Sequence, residues 1–100
     1  MTVLNQSVTV STSATELIGA QSATNQFGLR THLGIYNSGS VDVFIGGPSV
    51  TTSLYTYKLP AGQYMDIASG FKGDGLPSQK WYAVVASATS PVLITEVDGN

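Results

Sequence analysis

The chain has 100 residues, no cysteine, four basic and six acidic side chains, and a formal net charge of −2. This length favours one domain with a core of its own, and the lack of cysteine excludes disulfides and thiolate metal sites. The basic residues are single and scattered, which argues against nucleic acid as the partner, because backbone binding needs clustered Lys and Arg. No apolar run approaches the ~20 residues of a transmembrane helix, so no membrane partner is expected.

Short alternating segments separated by turn residues recur along the whole chain. The predicted strands, in chain order, are residues 6–12, 14–18, 29–36, 41–46, 63–68, 80–87 and 92–97, with 53–58 as an eighth candidate. No segment has a sustained helical apolar stripe, so almost no helix is expected. The sequence therefore predicts an all-β chain: an antiparallel β-sandwich or a jelly-roll-like small barrel of seven or eight short strands. A single β domain spans residues 1–100, with residues 1–6 as a flexible N-terminal segment.

The strongest structural signal is residues 29–46, where two alternating runs flank the joint Asn37-Ser38-Gly39-Ser40. Successive strand side chains point to opposite faces, and Asn and Gly tolerate the positive φ of a tight reversal. The pattern predicts a half-buried β-hairpin in which the two runs pair with each other. The side chains expected on its two apolar sides are Leu29, Thr31, Leu33, Ile35, Val41, Val43 and Ile45.

Two later segments predict the positions of their faces. In residues 63–68, Tyr64 and Asp66 share one face with Ala68, and Met65 and Ile67 share the other. Residues 80–87 are apolar on both faces, which is typical of an inner strand.

His32 is the only histidine and the natural candidate for catalysis. Imidazole catalysis needs an orienting carboxylate and a nucleophile, and no Gly-x-Ser-x-Gly elbow is present. Because His32 alternates with Arg30 and Tyr36, we expect it on an outer or interface face of a sheet. One His and six scattered acidic residues lack metal-ligand spacing. We therefore expect no catalytic residue, cofactor or metal, and a convergent His32, carboxylate and serine would be needed for a small hydrolase.

Aromatic residues are numerous for the size of the chain. They can belong to the core, anchor a protein interface, where Tyr and Trp are enriched, or stack on sugar rings. Those with these alternatives open are Tyr55, Tyr57, Tyr64, Phe71, Trp81 and Tyr82.

The central stretch RTHLGIYNSGSVDVFIGG (residues 30–47) carries a resemblance to a known class. It is followed by Val50-Thr51, by LPAG (59–62), by WYAVVA (81–86) and by ITEV (94–97). This succession resembles small structural proteins of tailed bacteriophages, in which a similar hairpin is followed by an L-x-x-G turn and an aromatic strand ending near a Glu. It is similar to capsid decoration (cement) proteins and to domains of head or tail fibres.

The resemblance implies a non-enzymatic virion structural protein that decorates and stabilises the capsid shell by bridging capsid subunits. Its partner would be the major capsid protein, and it would form a homo-oligomer, with a trimer favoured. It would be made in the host cytoplasm and located on the capsid surface of the virion. The alternative is a fibre or receptor-binding module recognising host glycan, which an exposed aromatic cluster beside Asn, Asp or Gln in a groove would favour.

Capsid contacts are expected from the N-terminal segment 1–6 and from the loops 20–28 and 69–79, which are polar or irregular. The candidate interface residues are Thr2, Val3, Leu4, Asn5, Gln26, Phe27, Phe71 and Lys72.

Overall fold

The computed structural model describes residues 3–17, 30–68 and 80–98. Eight strands alternate with turns along this part of the chain. They are β1 (Val3–Val10), β2 (Thr15–Glu16), β3 (Arg30–Asn37), β4 (Val43–Gly46), β5 (Tyr57–Leu59), β6 (Tyr64–Ala68), β7 (Tyr82–Val84) and β8 (Ser90–Asp98).

The strands form two four-stranded sheets in which every pair is antiparallel. Sheet I has the order β1-β8-β3-β6, and sheet II has the order β2-β7-β4-β5. No helix occurs within the ranges that the structure describes. The predicted all-β fold with eight short strands is confirmed, and the two sheets are consistent with a small β-sandwich.

One apolar cluster contains side chains from both sheets. From sheet I it includes Leu33, Ile35 and Ile94, and from sheet II it includes Val43 and Ile45, all at most 1% exposed. Alternation explains this, because every second residue of β3, β4 and β8 faces the interior and most of these residues are apolar. The polar residues buried with them are Asn37, Ser90 and Glu96. The prediction that these members of the two alternating runs are buried is confirmed.

The predicted hairpin of residues 29–46 is wrong in its pairing. β3 pairs with β6 and β8, whereas β4 pairs with β5 and β7, so the two runs belong to different sheets. Alternation predicts which face of a strand is buried but not which strand lies beside it. The predicted positive φ is also absent from this joint; in the described ranges it occurs at Gly62 (76°) and at Ala88 (63°).

Asn37, expected in a turn, is instead the last residue of β3 and is fully buried. Its side-chain amide donates hydrogen bonds to the carbonyls of Val41 (2.7 Å) and Leu59 (3.0 Å). Its Oδ1 accepts hydrogen bonds from the Ser90 hydroxyl (2.6 Å) and the Gly39 amide (3.1 Å). All four side-chain hydrogen-bonding positions of an Asn are therefore occupied, and one side chain joins the β3–β4 connection to β5 and β8.

Strand bounds differ from the predicted ones mainly at the ends. β1 begins at Val3, before the predicted residue 6, so residues 3–6 belong to sheet I and pair with β8. β2 is shorter than predicted, and β7 covers only the middle of the predicted segment 80–87. β7 lies between β2 and β4, which confirms the predicted inner strand.

Candidate functional site

The two sheets differ in what covers their outer faces. On sheet II, Phe44 makes an edge contact with Tyr55, with 5.0 Å between the ring centroids. Val50 is buried, and its side chain lies close to the outer side of Gly46. Residues 47–56 thus fold back over this sheet.

On the outer face of sheet I, side chains of four strands form a row. The register aligns Ser7 of β1 with Leu93 of β8, Leu93 with Tyr36 of β3, and Tyr36 with Tyr64 of β6. Leu93 is 45% exposed, Tyr36 is 37% exposed and Tyr64 is 53% exposed. These three large side chains give the outer row an exposed apolar and aromatic surface.

A hydrogen-bonded cluster of Tyr64, Asp66 and His32 lies at the β6 end of this face. The Tyr64 hydroxyl donates to Asp66 Oδ1, and His32 Nε2 lies 2.8 Å from the same oxygen. The antiparallel pairing of β3 with β6 brings the three residues together, since Gly34 is paired with Asp66 and Tyr36 with Tyr64. The cluster is open to solvent: the Asp66 side chain is 45% exposed and that of His32 is 31% exposed.

Gly34 allows the Tyr64 ring to lie across the sheet. A Cβ at Gly34 would stand 2.6 Å from the Tyr64 hydroxyl oxygen and 3.1 Å from ring atom Cε1. The ring therefore occupies the space that a side chain at residue 34 would fill, and Gly34 is buried beneath it. Tyr64 consequently rests against the β3 backbone while remaining half exposed.

The cluster changes the acidity of its members. The hydrogen bond from Tyr64 lowers the pKa of the Asp66 carboxyl below its ordinary value, the hydrogen bond from His32 adds to this, and burial opposes it. The same contact with Asp66 raises the pKa of the Tyr64 hydroxyl. Because the folded pKa of Asp66 is lowered, its contribution to stability is present above the ordinary carboxyl pKa and is lost as the pH falls through the lowered one.

Replacing Tyr64 with Phe is expected to raise the pKa of Asp66 toward the ordinary carboxyl value, because the largest cause of the shift is removed while His32 remains. NMR titration of the Asp66 side-chain carboxyl carbon measures this. Tyr36→Phe is the matched control, since Tyr36 lies opposite Tyr64 but has no hydrogen bond to Asp66. An Asp66 midpoint that stays unchanged in Tyr64→Phe would contradict the hydrogen-bonded cluster.

The cluster contains an imidazole and a carboxylate but lacks a serine nucleophile. In the part of the chain that the structure describes, His32 is hydrogen-bonded to Asp66 and to no serine or threonine hydroxyl. No group of three or more His, Cys, Asp or Glu side chains there is placed to hold a metal ion. The same residues contain no helix long and apolar enough to cross a membrane. What the site offers is an aromatic surface beside a fixed carboxylate.

Comparison with known proteins finds no match. No family model, no curated protein and no solved structure is significantly similar to this chain. Functional interpretation therefore depends on the residues of sheet I and on the resemblance that the sequence itself carries.

Of the candidate interface residues predicted from the sequence, three lie in described ranges. Val3, Leu4 and Asn5 belong to β1, and Asn5 is exposed, accepting a hydrogen bond from the Thr95 hydroxyl at 3.1 Å. Asn5 thus lies on the outer face of sheet I, beside the Ser7 end of the outer row. The candidates outside the described residues are Thr2, Gln26, Phe27, Phe71 and Lys72.

The outer row itself was not among the predicted interface residues. Its signals were present separately: His32 and Tyr36 were expected on an outer face, and Tyr64 and Asp66 on a common face of their strand. Both expectations are confirmed by their exposure and register. The strand order that makes β3 and β6 neighbours could not be predicted from the sequence.

Proposed function

We propose that the protein is a non-enzymatic phage virion protein that decorates the capsid shell and stabilises it by bridging subunits of the major capsid protein. The observation that carries the proposal is the outer face of sheet I, which no segment of the described ranges covers and on which Leu93 and Tyr36 are exposed among small polar side chains of β1 and β8. Apolar and aromatic centres with polar rims are typical of protein interfaces. The resemblance of residues 30–97 to decoration proteins supports the same function.

The mechanism is mass action. A protein that binds the assembled shell and not its separate subunits stabilises the shell by the free energy of binding. A homotrimer would present several copies of the same face at once, so that weak contacts add by avidity. Asn5, a predicted contact residue, borders Ser7 and Leu93 through the β1–β8 pairing, which places it at the same surface. On the virion, the protein would occupy the capsid surface after synthesis in the host cytoplasm.

Leu93→Asp is expected to weaken binding to capsid shells by about tenfold or more, because it places an unpaired carboxylate in the centre of the contact. Co-sedimentation with empty shells of the encoding phage measures the change. Leu54→Asp is the matched control, since Leu54 is 71% exposed in the segment that covers sheet II. If the two variants bind shells equally well, the surface around Leu93 is not the capsid contact. If the wild-type protein does not bind shells, the proposed function is wrong.

Deletion of residues 1–6 is a poor test of shell binding. It would remove four of the eight β1–β8 residue pairs and uncover that part of β8. Loss of binding would then not distinguish a missing contact from a damaged sheet, whereas a substitution at Leu93 leaves the backbone pairing in place.

A second candidate function is a fibre or receptor-binding module that recognises host glycan. The observation that favours it is Tyr64 beside Asp66, an exposed aromatic ring next to a carboxylate. Binding of the wild-type protein to saccharides and not to shells would promote this function over the first.

A further inference from the structure

The Tyr64 ring forms a platform on sheet I. Its hydroxyl end rests over the backbone of Gly34, and the ring is half exposed. The β3 backbone supports the ring from below, because Gly34 has no side chain in the space that the ring occupies. The opposite side of the ring faces solvent. Tyr36, directly opposite on β3, extends the exposed aromatic area.

Asp66 is fixed at the edge of this platform with part of its hydrogen-bonding capacity unused. Its Oδ1 accepts hydrogen bonds from Tyr64 and His32, whereas Oδ2 has no hydrogen-bond partner within the described ranges. An ionised carboxylate has about four acceptor sites, so Oδ2 remains able to accept from a ligand. Two donors on Oδ1 hold the side chain in one orientation, which reduces the entropy lost on binding.

A shallow cleft adjoins the platform where the β5 edge of sheet II meets the β6 edge of sheet I. Its lining includes Lys58, Gln63 and Tyr64. The Gln63 amide supplies donors and an acceptor that complement hydroxyl groups, whereas the Lys58 ammonium lies 3.6 Å from Asp42 Oδ2. Tyr64 thus belongs to both the platform and the cleft.

We propose that Tyr64, with Asp66 and the adjoining cleft, is a binding site for a neutral saccharide. The C–H face of a pyranose ring is flat and apolar and would stack on Tyr64, while its hydroxyls would donate to Asp66 Oδ2 and exchange hydrogen bonds with Gln63. The proposal rests on the second proposed function and names its site and ligand class. Capsid binding is tested separately at Leu93, and Tyr36 lies between the two surfaces.

Other ligand classes fit the site less well. A protein interface of standard size has few Asp residues at its core, whereas Asp66 lies beside the aromatic centre here. An organic cation gains most from aromatic faces when it is enclosed and desolvated, and the Tyr64 platform is open. A neutral sugar uses both the ring face and the carboxylate without needing enclosure.

An open platform with few polar partners binds a single sugar weakly. Several copies held together, in an oligomer or on a shell, would raise the effective affinity for a polymeric glycan by avidity. We therefore expect millimolar binding of short saccharides by the isolated protein.

The test is ¹H–¹⁵N NMR of the full chain titrated with glucose, galactose, N-acetylglucosamine and their β-linked oligomers, with tetramethylammonium chloride as a cationic probe. We expect saccharide-dependent shifts at Gly34, Tyr36, Tyr64 and Asp66. Tyr64→Ala should weaken binding about tenfold, as truncation of a central aromatic contact commonly does. Gly34→Ala should also weaken it, because the new Cβ displaces the ring while leaving Tyr64 present.

Tyr55→Ala is the matched control, since Tyr55 is 46% exposed on the sheet II side. It should bind saccharide as the wild type does. Equal affinity of Tyr64→Ala and wild type would overturn the site but leave glycan recognition standing. No shift with any saccharide would overturn both, and shifts with tetramethylammonium alone would show a cation site instead. Protection of Tyr64 and Asp66 by capsid shells, without saccharide shifts, would identify a protein interface and refute the inference.

Discussion

Replacing Asn37 with Asp is expected to lower the free energy of unfolding by about 3 kcal/mol or more, because buried groups left without hydrogen-bond partners cost roughly 1–3 kcal/mol each. The change removes the two amide donors that satisfy the carbonyls of Val41 and Leu59. It also places a carboxylate oxygen against these two carbonyl oxygens. Urea denaturation followed by Trp81 fluorescence measures the loss, which is a large part of the total stability of a small domain.

The Asn37→Asp loss should depend on pH. Burial among carbonyl groups raises the pKa of the new carboxyl in the folded state, so the folded state retains its proton to a higher pH than the unfolded state does. The variant is therefore destabilised most at neutral pH and recovers part of its stability, relative to the wild type at the same pH, as the pH falls toward the ordinary carboxyl range. A loss independent of pH would contradict a buried carboxyl at this position.

Asn5→Asp is the matched control for the Asn37 variant. Asn5 is exposed on the same sheet, and the new carboxylate can still accept the hydrogen bond from the Thr95 hydroxyl. Its effect should stay within about 0.5 kcal/mol, as for most surface substitutions. If the two variants unfold at the same urea concentration, Asn37 does not join the strands as its hydrogen bonds indicate.

The Asn37 environment also explains the glycine two residues later. A Cβ at Gly39 would collide with the Ser90 hydroxyl, which is buried and bonded to Asn37 Oδ1. Gly39 is therefore required by close approach, whereas the sequence pattern suggested that it was required by positive φ. Turn composition alone does not separate these two reasons.

The buried faces of the strands could be predicted because they depend on local alternation. Leu33, Ile35, Val43 and Ile45 are buried, as their spacing of two indicates. The pairing of strands could not be predicted in the same way. A half-buried strand fits either sheet of a sandwich, and the choice depends on contacts between residues distant in the chain, such as those of Asn37 with Leu59 and Ser90.

The candidate site depends on the same missing information. Tyr64 and Asp66 are two residues apart, so their common face follows from the strand period. His32 and Gly34 join them only because β6 pairs with β3. His32 lies 34 positions before Asp66 in the sequence. A site built across strands is therefore visible only once the sheet order is established.

Replacing Ile35 with Ala is expected to lower the free energy of unfolding by about 2–5 kcal/mol, the usual range for truncating a buried Ile. Ile35 has no exposed surface and lies in β3 between Met65 of β6 and Ile94 of β8. Its loss leaves a cavity that paired strands on both sides cannot readily close. Urea denaturation at neutral pH measures the change.

A graded series separates the cavity from other effects. Ile35→Val removes one methylene group and should cost about 0.5–1.5 kcal/mol, while Leu54→Ala, at a leucine that is 71% exposed, should stay within about 0.5 kcal/mol. Ile35 points into the core from the same strand that carries Tyr36 and Gly34 on its outer face. Because β3 lies between β6 and β8, loosening its inner face should also weaken the support of the Tyr64 platform. Full stability of Ile35→Ala would contradict a core packed between the two sheets.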